Sequence, residues 1–156
     1  MIVHLRAYEI IDPEIEAHYS FKTIRPSARA QGRIGTTTFH DHDFYELFLI
    51  AYGRIWHLVN HAENLLPAGS LVFIRPNDCH SFRQHQGEDC GLINLAFPKE
   101  AVAALFAYLG DGFQSDRLLK PELPPAVLLA ETDRQQVESR LARLINIPRG
   151  EKGKLR

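Results

Sequence analysis

The residues of this sequence best suited to chemistry are its histidines, because six of the eight lie between positions 40 and 85. The tightest group is His40, His42 and Glu46. Alternate side chains of an extended strand point to one face, so these three even-numbered residues share a face if no bulge intervenes. Two imidazoles and a carboxylate suit a divalent first-row metal. The spacing therefore predicts a metal site, with Asp41 and Asp43 on the opposite face as solvated acids.

A second stretch combines a glycine turn, an apolar strand, a tight turn and a histidine between Gly69 and His80. Together the two stretches resemble the paired sequence motifs of the cupin superfamily. The matching positions are His40, His42, Glu46 and Gly53 in the first motif, and Gly69 and His80 in the second, with Gly35 one residue away from the leading glycine. The departures are Arg75 for a proline, Asn77 for a glycine and Gln84 for an asparagine. Asparagine is the residue that best replaces glycine at positive φ.

This resemblance implies a small β-barrel whose mouth is lined by both motifs. By the family's pattern the metal ligands are His40, His42, Glu46 and His80, and the divalent metal is Zn, Ni, Fe or Mn.

The segments around the motifs are short, and their pattern predicts mainly β structure. The predicted strands are 33–39, 44–52, 55–59, 64–66, 71–74, 81–84 and 92–97. Such spacing, with turn residues between, is typical of a sandwich or barrel. Helices are predicted at 100–109 and 132–145 from their apolar periodicity. The predicted fold class is a mainly β, cupin-type β-barrel or jelly roll followed by two C-terminal α-helices.

Three segments, HDHDFYELFLIAYG, LPAGSLVFIRPNDCHSF and INLAFP, are similar to the N-terminal effector domain of AraC-type transcription regulators. The nearest likeness is the sugar-responsive branch that includes the chitobiose-operon regulator. This implies an effector-binding barrel with an N-terminal arm over 1–97, a helical dimerisation segment over 98–147 and a linker or tail over 148–156. It also implies a homodimer that senses a small carbohydrate and reaches DNA only through a C-terminal helix-turn-helix domain absent from this chain. We therefore expect a fragment of a longer regulator.

A stand-alone metal-dependent cupin enzyme, such as a dioxygenase or a sugar isomerase, is the alternative function. Three histidines and a glutamate permit it, since such sites leave metal positions open for substrate. The helices after the barrel favour the sensor, for which we expect no catalytic residue.

The net charge of the chain is −1, so it does not have the excess of basic residues that is typical of a nucleic-acid binder. Without an apolar run of membrane-spanning length or a signal peptide, we expect a cytoplasmic protein that does not bind membranes.

Four residues are predicted to contact the effector. Trp56, the single tryptophan, is the candidate for stacking on a sugar ring. Asn94 is a polar residue within an apolar strand. Like three of the predicted metal ligands it has an even number, so we expect it to face the same pocket across the barrel. Arg75 could meet an anionic group at the rim, and Arg6 belongs to an arm that could close over the ligand. Core packing for Trp56 and Asn94, and an exposed turn for Arg75, are the structural alternatives.

The second predicted helix carries one apolar stripe at positions i, i+4, i+7 and i+8, namely Val137, Leu141, Leu144 and Ile145. We predict that this stripe is the dimerisation surface. The alternative is that it packs on the chain's own barrel, since exposed apolar stripes are uncommon on monomers.

Overall fold

A computed structural model describes residues 1–11, 17–24 and 37–145, in which ten strands and four helices are found. The strands are β1 (Val3–Leu5), β2 (His18–Ile24), β3 (His40–His42), β4 (Tyr45–Tyr52), β5 (Arg54–Val59), β6 (Ala62–Pro67), β7 (Ser70–Ile74), β8 (His80–Gln84), β9 (Cys90–Phe97) and β10 (Ala126–Leu128). The helices are α1 (Ala7–Ile10), α2 (Lys99–Leu109), α3 (Asp116–Leu119) and α4 (Glu131–Ile145).

The strands form two five-stranded sheets that pack face to face. One sheet has the order β1-β3-β8-β5-β6 and the other the order β10-β7-β4-β9-β2. Apolar side chains from both sheets meet between them, with Phe48 and Leu92 from one and Ile55 and Phe82 from the other. Burial of such a two-sided apolar layer is the main driving force for this architecture. The predicted mainly β, cupin-like fold is confirmed, and the two predicted helices correspond to α2 and α4, with the short α3 between them.

Three strands form where none is predicted. β1 and β2 lie in the N-terminal region and pair with β3 and β9, and β10 lies between α3 and α4 and pairs with β7. The segment after residue 97 therefore adds a strand to the barrel as well as helices. Residues 37–39, predicted to be extended, lie outside any strand, and β3 begins at His40. Gly35 and the rest of that predicted strand, 33–36, are outside the described residues.

The first motif crosses from one sheet to the other. His40 and His42 belong to β3 of the first sheet, whereas Glu46 belongs to β4 of the second. The chain bends at Asp43 and Phe44 between the two strands. The expectation that His40, His42 and Glu46 share one face of a single strand is therefore wrong, and these side chains approach one another across the barrel instead.

Two turn positions of the motifs have left-handed backbone. Gly53 has φ +76°, and a Cβ atom there would lie 2.2 Å from the carbonyl oxygen of Asp89. Asn77, which replaces the glycine of the second motif, has φ 70°. The tolerance of asparagine for this region explains how the turn forms without glycine.

Helix α4 covers the outer face of the β4–β9 sheet. Leu141 is buried against Leu49, Ile93 and Leu95, and Val137 packs against the same cluster. The odd-numbered residues of β4 and β9 are apolar and need this cover, so the two side chains serve the chain's own core. The dimer surface predicted at Val137 and Leu141 is corrected accordingly. The side chains of Leu144 and Ile145 lie outside the described residues.

Candidate metal centre and effector cavity

Three of the four predicted metal ligands come together at one end of the barrel. Donor atoms of His40, Glu46 and His80 all lie within 4.8 Å of one another. His40 and His80 are cross-strand neighbours of β3 and β8, and their ring centroids are 4.4 Å apart. Glu46 reaches them from the facing sheet. Two imidazoles and one carboxylate in this geometry could hold a divalent metal with open positions.

His42 lies beside this group but is oriented differently. Its Nδ1 is 2.7 Å from the carbonyl oxygen of Phe44, and its Nε2 is 3.0 Å from Glu46 Oε2. A carbonyl only accepts, so Nδ1 carries a proton, and in the neutral ring Nε2 presents a lone pair. Within the described residues this buried Nε2 has no hydrogen bond. A lone pair facing a carboxylate is repulsive, so a proton or a metal ion between the two atoms would stabilise the pair.

The charge states of the site suit a cation. Burial of Glu46 opposes ionisation, but a hydrogen bond from His42 Nε2, available when that ring is protonated, and the charges of His80, His42 and His40 outweigh burial and lower its pKa from 4.5 to about 2. Burial lowers the pKa of His80 from 6.5 to about 3 against the attraction of Glu46. At neutral pH the site therefore presents an ionised carboxylate and a neutral imidazole, which are the forms that bind metals.

We expect acid to destabilise the metal-free protein well before its ordinary carboxylates titrate. Burial lowers the pKa of His57 from 6.5 to about 4, opposed by Glu46 and Asp78 and assisted by His40. The unfolded chain therefore binds protons first as pH falls below 6.5, and stability present above that pH is lost progressively down to pH 4. His57 alone accounts for about 2 kcal/mol of lost unfolding free energy at pH 5. Urea denaturation at pH 7, 6 and 5 measures it, and an unchanged free energy of unfolding would contradict the expectation.

A cavity of about 190 Å³ lies inside the barrel next to the histidines. Its lining combines apolar residues of both sheets with a polar strip on the inner face of β2 and β9. The strip consists of His18, Ser20, Lys22 and Asn94, and the other polar residues of the lining are Thr37, His40 and Glu46. Ser20 and Asn94 are register partners on β2 and β9, and among the described residues neither Ser20 Oγ nor Asn94 Oδ1 has a hydrogen-bond partner. Buried oxygens without partners are costly, so this strip is suited to hydrogen-bond a ligand. Asn94 thus lines the cavity, and its contact with an effector stays a prediction.

The N-terminal arm, residues 1–11, closes part of this cavity. Leu5 and Ile10 line it, and β1 pairs in parallel with β3. The backbone N–H of Ala7 donates to Asp43 Oδ1 at 2.7 Å, and His4 Nδ1 lies 2.6 Å from Asp41 Oδ1. The two aspartates therefore anchor the arm and are not simply solvated acids.

Arg6, the arm residue predicted to contact the effector, does not line the cavity. Its guanidinium is half-exposed, 3.7 Å from Asp43 Oδ2. The arm covers the cavity with apolar side chains rather than with this cation.

Trp56 and His57 take opposite sides of β5, and the buried one is His57. The Arg83 guanidinium lies 5.4 Å from the Trp56 ring centroid, and the His85 ring lies at 6.1 Å. Trp56 is thus on the outer face of its sheet and does not line the cavity. This differs from the stacking role predicted for Trp56. Aromatic rings that do line the cavity are Phe44 and Phe82.

Arg75 is committed to the fold rather than to a ligand. Its Nε and Nη2 donate to the carboxylate of Asp78 at 2.8 and 3.0 Å. Its remaining donors bind the carbonyl oxygens of Leu119, Pro121 and Glu122. All five guanidinium donors are then used. The prediction that Arg75 meets an anionic effector is corrected, because this buried arginine joins the second motif to the segment after α3.

A family model described as AraC-like ligand binding domain matches residues 25–148, which is most of the sequence. The chain belongs to this AraC-like family. The AraC-like domain is 40% identical over 48 residues to the HTH-type transcriptional activator RhaS of Pectobacterium carotovorum and, equally, to that of Pectobacterium atrosepticum. Each match covers 31% of this chain and 17% of the relative, so the similarity spans a minor part of those proteins.

Solved structures share the fold of the AraC-like domain. Apo ToxT K231A from Vibrio cholerae strain SCE256 superposes with a TM-score of 0.63 at 15% identity, covering 82% of this chain and 47% of ToxT. ToxT from Vibrio cholerae O395 bound to (E)-4-(8-methylnaphthalen-1-yl)but-3-enoic acid gives a TM-score of 0.63 at 10% identity, covering 85% and 49%. The chain thus spans about half the length of ToxT. None of the described helices is long and apolar enough to cross a membrane.

Proposed function

We propose that this AraC-like domain is the effector-sensing module of a transcription regulator. In this proposal a small carbohydrate or sugar derivative binds inside the barrel, and a C-terminal domain outside this chain contacts DNA. The observation that supports it is the cavity, whose wall carries the unpartnered Ser20 Oγ and Asn94 Oδ1. A hydroxyl and an amide suit sugar hydroxyls, and Phe44 and Phe82 supply apolar contact for the faces of a sugar ring.

The size of the cavity favours a small effector. Its volume of about 190 Å³ is below the range of roughly 300–1,000 Å³ that is usual for drug-sized ligands. ToxT has been solved with an unsaturated fatty acid bound. A monosaccharide is shorter and more polar than such a ligand, and it matches both the volume and the polar strip better.

We further propose that a divalent metal, Zn, Ni, Fe or Mn, binds at His40, Glu46 and His80, with His42 as the fourth ligand after a small rotation. The chemistry of the donors fits, because the Nε2 atoms of His42 and His80 are buried without a hydrogen bond in the described structure. A bound metal would supply positive charge to attract hydroxyl or carbonyl oxygens of the effector. The alternative, a metal-dependent cupin enzyme, shares this site, but membership of a ligand-binding family favours sensing over catalysis.

The proposal includes homodimerisation because the resemblance to AraC-type regulators implies it. Val137 and Leu141 are used by the chain's own core. Leu105, Tyr108 and Leu109 of α2 are exposed and apolar, and they replace the earlier stripe as candidates for a contact with a second copy.

We expect Asn94→Leu to weaken binding of a six-carbon sugar about 10- to 100-fold, because the ligand hydroxyl would lose its buried partner. D-glucose, D-galactose, N-acetylglucosamine and oleate are titrated against the chain by calorimetry, with and without Co²⁺. Asn64→Leu, at an exposed position of β6, is the matched control and should bind as the wild type does. Binding of oleate alone, or sugar binding that Asn94→Leu leaves intact, would contradict the proposed effector class or its site.

A further inference from the structure

His57 is a buried imidazole that packs against two phenylalanine rings inside the barrel. Its side chain stacks on Phe82 and meets Phe48 edge to face, with ring centroids 5.3 and 5.2 Å away. The residue is 2% exposed and does not line the effector cavity. A ligand in that cavity therefore does not touch it, and neither the motifs nor the family pattern gives it a role.

Among the described residues, a hydrogen bond joins this ring to the candidate metal centre. His57 Nε2 lies 3.3 Å from His80 Nδ1. On the other side of the His80 ring, Nε2 is buried without a hydrogen bond and faces Glu46 Oε2 at 3.8 Å. His57 thus contacts the one nitrogen of His80 that points away from the candidate ligand group.

The position of one proton on the His80 ring decides whether this residue can ligate a metal. A neutral imidazole carries one N–H, and a metal binds the nitrogen that lacks it. If the proton is on Nδ1, it is donated to His57 Nε2, and the lone pair of His80 Nε2 is free toward Glu46. If the proton is on Nε2, His80 cannot ligate a metal there. An acceptor at the position of His57 Nε2 favours the first arrangement.

We propose that His57 is a positioning residue that holds His80 in the tautomer able to ligate a metal. The inference rests on the metal site proposed above and extends it beyond its ligands. Ligating histidines commonly donate their second N–H to a fixed acceptor, and loss of the acceptor weakens metal binding about 10- to 100-fold. In this chain the acceptor is an imidazole buried between two phenylalanines, so it cannot rotate away or exchange for water.

The test compares His57→Phe with His57→Gln in the full 156-residue chain. Phenylalanine keeps an aromatic ring beside Phe82 but has no acceptor, whereas glutamine places an amide oxygen near the position of the lost Nε2. Co²⁺ is titrated into metal-free protein while its visible ligand-field absorption is recorded. We expect Co²⁺ binding to be about 10- to 100-fold weaker in His57→Phe, with an altered spectrum, and restored to within about threefold in His57→Gln.

Thermal denaturation of the metal-free variants separates positioning from packing. In metal-free His57→Phe the proton of His80 can move to Nε2 and face Glu46, so no buried donor is stranded and the melting temperature should stay near that of the wild type while the metal affinity falls. Wild-type affinity and spectrum in His57→Phe, or equal loss in both variants, would overturn the inference. A wild-type chain that binds no Co²⁺ would instead contradict the metal site and remove the inference with it. His61→Gln, an exposed turn histidine, controls for surface binding.

Discussion

Replacing Arg75 with methionine is expected to lower the free energy of unfolding by about 3–5 kcal/mol, the usual cost of removing one partner of a buried ion pair. Arg75 and Asp78 are 9% and 6% exposed, and the guanidinium uses all of its donors on Asp78 and three carbonyl groups. Methionine fills much of the volume, so the loss comes from a buried carboxylate left without its cation. The bonds to the arginine and to Asn60 lower the pKa of Asp78 despite its burial.

Urea denaturation followed by the fluorescence of Trp56 measures the effect. Arg54→Met, which removes an exposed arginine paired with Glu88, is the matched control and should leave the denaturation midpoint nearly unchanged. The double variant Arg75→Met, Asp78→Asn should recover part of the loss, because it also removes the uncompensated charge. If Arg75→Met behaved like the Arg54 control, the assignment of Arg75 to the fold would be wrong.

Glu46→Gln is expected to lower the affinity of the chain for Co²⁺ at least about 100-fold, because it removes the one anionic donor of the three that converge. Glutamine has nearly the same shape as glutamate, so we expect the neighbouring residues of β4 to keep their packing. Wild-type protein at Co²⁺ concentrations 100 times its Kd should gain about 3 kcal/mol in unfolding free energy by linkage, and Glu46→Gln should gain almost none.

Calorimetric titration and metal-dependent melting are run in parallel on the two proteins. Glu63→Gln, at an exposed position of β6, should bind Co²⁺ as the wild type does. A Glu46→Gln variant that retains wild-type affinity would show that the ion binds elsewhere, and the ligand assignment to His40, Glu46 and His80 would fail.

The motif residues were predictable because their spacing is constrained by the turns around them. Gly53 and Asn77 have the backbone that the motif requires, and both motifs deliver histidines to the same end of the barrel. What spacing could not show was the bend at residues 43 and 44. That bend separates β3 from β4, and it leaves His42 turned toward Glu46 and the carbonyl group of Phe44.

The part of the polar cavity wall that β2 supplies was missed for a physical reason. Sequence patterns locate strands by apolar residues that alternate with polar ones, on the assumption that the apolar face is inside. In β2 the inner face carries His18, Ser20 and Lys22, while Phe21 is exposed outside. The alternation is present but inverted, because this face meets a cavity rather than the core. Departures of this kind are expected at functional sites.

The buried Arg75 and His57 illustrate a second limit. Arginine is mostly exposed in proteins and histidine is intermediate, so neither residue type predicts full burial. Their burial depends on partners distant in sequence, such as the carbonyl groups at and after the end of α3 for Arg75 and the β8 histidine for His57. Only the fold brings these partners together, so composition and periodicity could not reveal them.

The position of β2 at the edge of its sheet has a consequence for how such domains diversify. β2 is held by β9 along one side, and it presents three alternate side chains, at positions 18, 20 and 22, to the cavity. None of the three belongs to the apolar clusters of the core, so we expect substitutions there to change the chemistry that a ligand meets and to leave the layer between the sheets intact. Selection for a new signal can therefore act on three codons of one strand, while the rest of the barrel retains its sequence and its stability.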